Sequence, residues 1–123
     1  MRYAWEIHLV KDDGMKEGMC DAHTHGLNEF GSLEIQFVLS YPANMIGYIL
    51  NEVGTRIKNG LVLEDGMLIE GVCDDEAKLK AYKTQDCFGE EIYRLIMPDG
   101  KFKYPEDSKE WPYNLQYESP YQD

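Results

Sequence analysis

Leu33-Glu34-Ile35-Gln36-Phe37-Val38-Leu39, followed at once by Ser40-Tyr41-Pro42, decides the fold of this chain. Leu33, Ile35, Phe37 and Leu39 fall on every second position, the period of a strand with one apolar face. Beyond Pro42 the period changes. Met45, Ile46, Ile49, Leu50, Val53 and Ile57 follow at i, i+1, i+4, i+5, i+8 and i+12, the stripe of an amphipathic helix. Pro42 suits the first turn, where a missing N–H is harmless, and Asn59-Gly60 suits the stop. The spacing therefore predicts a helix over residues 43–58 lying on a sheet, with Leu33, Ile35, Phe37, Leu39, Ile46, Ile49, Leu50 and Val53 as the core between them. Gly47 and Gly54 lie seven apart within that helix and share a face; each costs about 1 kcal/mol against alanine. Close approach of another backbone is the expected reason, and a ligand resting in the groove is the alternative.

Upstream, Tyr3, Trp5, Ile7 and Leu9 alternate with Ala4, Glu6 and His8, a strand with one buried face. Lys11-Asp12-Asp13-Gly14 reads as a turn, and residues 19–27 are apolar and small. Downstream, Leu61-Val62-Leu63, Met67-Leu68-Ile69 and the stretch from Leu79 to Tyr82 read as short strands. The acidic run Asp74-Asp75-Glu76 lacks the glycine and spacing of a calcium loop and reads as a solvated turn. The stretch from Glu90 to Met97 suits helix or strand; its β-rich neighbourhood favours strand, closed by the turn Pro98-Asp99-Gly100. The fold class expected is α+β: a single antiparallel or mixed sheet of about five to six strands with one main helix packed on it. Residues 1–100 form the compact domain. Residues 101–123, rich in proline and aromatics, read as an extended arm lying on the domain or on a partner subunit.

Charge restricts the partners. Twelve Lys+Arg face twenty-three Asp+Glu, a formal net charge of −11, and the part after Gly60 holds 7 basic against 15 acidic residues. Phosphate backbones and anionic lipid surfaces repel such a chain, and it has no basic cluster to release counterions. Neither nucleic acid nor a membrane is an expected partner. A basic protein or a small molecule is, and a homodimer stays open. No signal-peptide pattern is visible at the N-terminus, where Glu6 interrupts the apolar residues. Cys20, Cys73 and Cys87 are too few for a disulfide scaffold and odd in number, so a cytoplasmic location with reduced thiols is expected.

The densest group of reactive side chains is Cys20-Asp21-Ala22-His23-Thr24-His25-Gly26. If extended, it turns Asp21, His23 and His25 to one face and Cys20 to the other. Two imidazoles at that spacing can share a divalent transition metal, given a third ligand from elsewhere. Acid–base chemistry without a metal is a second reading, and a structural role for both histidines a third. Cys20 would need an imidazole to lower its pKa before it could act as a nucleophile; a buried, inert thiol is the simpler reading. The candidate ligand-binding residues are Asp21, His23, Thr24 and Gly26, and the candidate metal ligands are His23 and His25. The segment is expected to line a pocket into which His23 faces. The chain has no GxGxxG after a strand, no GxxxxGK[ST], no HExxH and no CxxC.

The string Cys20-Asp21-Ala22-His23-Thr24-His25-Gly26-Leu27 resembles the CDxHTxGL-like signature of a family of small bacterial proteins known only as a domain of unknown function. Similar segments follow in order: Phe37-Val38-Leu39 before a proline, Gly47-Tyr48-Ile49-Leu50-Asn51, Arg94-Leu95-Ile96-Met97-Pro98-Asp99, and Pro112-Tyr113-Asn114-Leu115-Gln116. The resemblance spans roughly residues 20–117 and implies no established activity. Three functions from different classes follow from the residues. The first is a non-enzymatic protein- or ligand-binding module without a cofactor, using a cleft near residues 23–27 or the aromatic arm. The others are a metal-dependent hydrolase using His23 and His25, and an acidic mimic of nucleic-acid charge.

Overall fold

The structure is a computed structural model that describes residues 3–73 and 76–122. Asp74 and Asp75, read above as part of an acidic turn, lie outside the described residues. Among the described residues, six strands form one mixed sheet: β1 (Glu6–Val10), β2 (Met19–His25), β3 (Ile35–Leu39), β4 (Leu68–Ile69), β5 (Leu79–Gln85) and β6 (Glu91–Ile96). They lie in the order β1-β2-β3-β6-β5-β4. Only β3 and β6 run parallel, with Ile35 opposite Tyr93; the other neighbours are antiparallel. The helix α1 spans Ala43–Lys58. The α+β fold with one sheet and one main helix follows the sequence spacing, and the stretch from Glu90 to Met97 resolves as strand.

β3 and β6 are central strands, and β3 is buried along its whole length because both of its faces are covered. On one face Ile35, Phe37 and Leu39 join Ile46, Leu50, Val53 and Ile57 of α1 in the core. On the other, Gln36 is tied through Arg94 to the Gln116 and Glu118 carbonyls of the C-terminal arm, and Tyr121 of the arm reaches Asp21 on the neighbouring strand. No helix of the described residues is long and apolar enough to cross a membrane.

Several local expectations need correction. Met45 is 46% exposed and off the buried stripe, although its neighbour Ile46 in the same turn is buried in the core. Leu33 is only partly buried, at the rim of the core. Leu61-Val62-Leu63 has no ladder partner and is not a strand: Leu63 is buried and Val62 is exposed, so the side chains alternate without a sheet to join. Of Tyr3, Trp5, Ile7 and Leu9, Trp5 is buried and Ile7 packs on the core, whereas Tyr3, ahead of the edge strand, and Leu9, on it, are exposed. The two helix glycines part company. A Cβ on Gly54 would sit 2.7 Å from Cζ2 of Trp5, so a side chain and not a backbone makes the close approach; a Cβ on Gly47 would meet nothing within 4 Å. The Trp5 indole N–H, held in that notch, donates to Asn51 Oδ1 at 2.9 Å.

Candidate functional site

β2 carries the densest chemistry, and strand alternation divides it between two environments. Cys20, Ala22 and Thr24 point into the core and are fully buried, while Asp21, His23 and His25 point to the opposite face. Cys20 donates its S–H to the Leu39 carbonyl at 3.3 Å. Burial pushes its thiol up to about 11, so it holds its proton at neutral pH and is structural.

Thr24 and Gly26 also serve the fold. The Glu34 carboxylate, at the entrance to β3, is cradled by the Thr24 hydroxyl at 2.8 Å and by the backbone N–H groups of Gly26, Leu27 and Asn28 at 3.1, 3.1 and 3.2 Å. Thr24 Oγ1 in turn accepts from the Ile35 N–H at 3.0 Å. Successive N–H groups in a turn form an anion-binding concavity, and here the chain's own carboxylate fills it. Gly26 makes the turn possible: its φ is +126°, and a Cβ there would lie 3.1 Å from the Ala4 carbonyl oxygen. Leu27 anchors the turn in the core. Thr24 and Gly26 are thus spent within the fold and do not join Asp21 and His23 in one site.

On the opposite face Asp21 is the hub of a buried polar chain. It is 3% exposed and accepts from His23 Nδ1 at 3.2 Å, Gln36 Nε2 at 2.9 Å and the Tyr121 hydroxyl at 2.6 Å. Burial alone would raise its carboxyl, but these hydrogen bonds and the neighbouring imidazole outweigh burial and hold it at about 2. The chain continues through Gln36 Oε1, which accepts from Arg94 Nε at 2.7 Å. Arg94 Nη1 donates to the Gln116 and Glu118 carbonyls of the arm. Gln116, fully buried, closes it on both the N–H and the carbonyl of Met97. Sequence reading missed Gln36, Arg94, Gln116 and Tyr121. Single polar residues inside the apolar runs of β3 and β6 were the available signal. Every buried side-chain polar atom among the described residues has a partner.

His23 is partly exposed, and the Asp21 hydrogen bond raises its affinity for a proton against the opposing effect of burial. Its ring stacks on His8 of β1, directly opposite in register, with centroids 5.4 Å apart; His25 lies 5.8 Å from His8. Residues 20–27 line none of three clefts found elsewhere among the described residues, so the expected pocket is not one of these.

The cavities lie elsewhere. One, of about 480 Å³, is lined by Tyr41, Met45, Tyr48 and Ile49 at the start of α1 and by Val72 and Met97 beneath. Met45 and Tyr48 line it and are 46% and 57% exposed, and Asn44 contributes an amide to the lining. The Tyr41 hydroxyl is tied to that of Tyr113 at 2.9 Å. A second cavity, of about 680 Å³, shares Ala77 with the first and adds Glu70, Glu76, Phe102 and Tyr104. The third, of about 230 Å³, lies between Leu33 and Tyr93. No protein family, curated protein or solved structure was found to match this chain.

Proposed function

We propose that this chain is a non-enzymatic binding module, and that it holds a cationic segment of another protein by one large apolar side chain. The observation that carries the reading is the cleft at the start of α1. Its volume is in the range of ligand sites, its lining is apolar and aromatic, and one amide supplies orientation. Exposed Met45 and Tyr48 in the lining are residue types that recur at adaptable contact surfaces. Charge selects the occupant. The adjoining cavity carries Glu70 and Glu76 against one cation, Lys78, which pairs with Glu70 at 3.1 Å, so its lining is acidic by one charge, and the whole chain bears a formal charge of −11. A basic segment is steered toward such a surface and an acidic one is repelled. The motif on β2 is a poorer candidate, because Thr24, Gly26 and Asp21 already have their partners within the chain.

A fluorescein-labelled peptide with four lysines around one tryptophan, and its glutamate counterpart, test this by fluorescence anisotropy. The lysine peptide should bind saturably and weaken as salt rises. Tyr48→Ala should weaken it about five- to thirtyfold, a loss of about 1–2 kcal/mol at an aromatic contact. His23→Ala on the far face should leave it unchanged. Equal binding of both peptides, or indifference to Tyr48→Ala, would overturn the reading. Tyr48 is mostly exposed, so its truncation should not disturb folding.

A further inference from the structure

The chain holds three histidines, and the fold gathers all of them on one patch of open sheet, away from the docking cleft. We propose that His8, His23 and His25, with the Glu6 carboxylate, form a surface site for a divalent transition ion of the zinc class, bridging β1 and β2.

The register makes the case. His8 is directly opposite His23, and Glu6 directly opposite His25, so the four side chains occupy the corners of one rectangle on one face. Opposite residues of an antiparallel pair have Cβ atoms about 4.5–5.5 Å apart, and diagonal neighbours lie about 7–8 Å apart. Imidazole arms on that grid can meet at one ion with Zn–N distances of about 2.0–2.1 Å. His23 is already oriented for the task. Its Nδ1–H donates to Asp21, which leaves Nε2 with its lone pair free to coordinate; a carboxylate behind a histidine is the usual support of a zinc ligand. Asp21 is fixed in turn by Gln36 and Tyr121, so this corner of the site is rigid.

The other corners are adjustable. The rings of His8 and His23 are stacked, not convergent, and His8 Nε2 lies 3.3 Å from Glu6 Oε2. Among the described residues no group of three or more His, Cys, Asp or Glu already surrounds an ion position. Closing the site requires rotation of the His8 and His25 side chains. Both are exposed, His8 by half of its side chain, so the rotation gives up only the ring contacts among the three histidines and the His8–Glu6 contact. Borderline-soft ions that accept imidazole and carboxylate together fit this donor set; magnesium and calcium, which prefer all-oxygen shells, do not.

The test is zinc titration of chelator-stripped protein by calorimetry at neutral pH, with magnesium as the control ion. One zinc per chain should bind, with a dissociation constant at or below about 10 µM. His8→Asn and His25→Asn should each weaken it about tenfold or more, and Asp21→Asn by a similar factor through the loss of support to His23. Cys87→Ser removes an exposed thiol that could take zinc on its own and should leave binding unchanged. No binding below about 100 µM, full binding in the two histidine variants, or loss in Cys87→Ser would each overturn the proposal. His8 and His25 lie at the surface, and urea midpoints equal to the parent's would show that their variants fold.

Discussion

Replacing Glu34 by glutamine exchanges one carboxylate oxygen for an NH₂ and should weaken the turn that the β2 motif builds. In the native turn Oε1 takes the Thr24 hydroxyl and the Leu27 N–H, while Oε2 takes the Gly26 and Asn28 N–H groups. All four partners are donors. A glutamine amide fits best with its NH₂ on the Thr24 hydroxyl, which can accept instead of donate; there it opposes the Leu27 N–H, so one hydrogen bond vanishes, one donor is left opposed by a donor, and the other three lose their charged acceptor. A net hydrogen bond contributes about 0.5–1.5 kcal/mol, and more when the acceptor is charged. Glu34 is only partly buried, which places the estimate toward the low end of that range. The expected loss is about 2–3 kcal/mol in a domain whose total stability is about 5–15 kcal/mol. Urea unfolding followed by tryptophan fluorescence reads this directly. With m near 1–3 kcal/mol/M, the midpoint should fall by about 1–2 M. A Glu34→Gln midpoint within about 0.3 M of the parent would refute the cradle and return Thr24 and Gly26 to the candidates for ligand binding.

Further outcomes follow from the same contacts. Gly54→Ala drives a Cβ to 2.7 Å from Trp5 and should lower stability by about 1–2 kcal/mol after the helix-propensity gain, whereas Gly47→Ala meets open space and should raise it by up to about 1 kcal/mol; urea midpoints moving in the same direction would contradict this. Arg94→Ala strands Gln36 Oε1 and two carbonyls of the arm and should cost about 3 kcal/mol, with faster tryptic cleavage after exposed Lys109; an unchanged cleavage rate would show that the arm is held otherwise. Cys20, with its thiol raised from 9.0 to about 11, contributes stability that is complete below pH 9.0 and lost as pH rises toward 11. Iodoacetamide at about pH 8 should therefore modify exposed Cys87 and spare Cys20 until urea unfolds the chain; early labelling of Cys20 would show it to be accessible.

The strand-then-helix core was legible because periodicity reports burial directly: α1 and β3 follow from spacing, whereas the strand character of residues 91–96 came from the β-rich neighbourhood, since their spacing suits helix as well. Burial without hydrogen-bond partners produces the same pattern, which is why Leu61-Val62-Leu63 reads as a strand and is not one. The faces of β2 were legible too, with Asp21 beside His23 and Cys20 turned inward. What spacing cannot carry is register. Nothing in the local sequence says that His8 stands opposite His23, that Glu34 reaches back eight residues to Gly26, or that Tyr121 crosses a hundred residues to Asp21. The glycine pair shows the same limit, since one sequence spacing serves two environments: a notch for Trp5 and open solvent. The docking cleft was illegible for a related reason. It is assembled from the first turns of α1, Val72 and Met97, three segments that meet only through the parallel crossover from β3 to β6.

The most direct test of the central claim is amide chemical-shift mapping of the isotopically labelled protein titrated with the lysine–tryptophan peptide. The account predicts perturbations concentrated on residues 41–49, Val72, Ala77 and Met97, with little change at His8, His23, Thr24 and Gly26. Perturbations centred on residues 20–27 would contradict it and place the site on the β2 motif; no perturbation at saturating peptide would remove the docking cleft altogether.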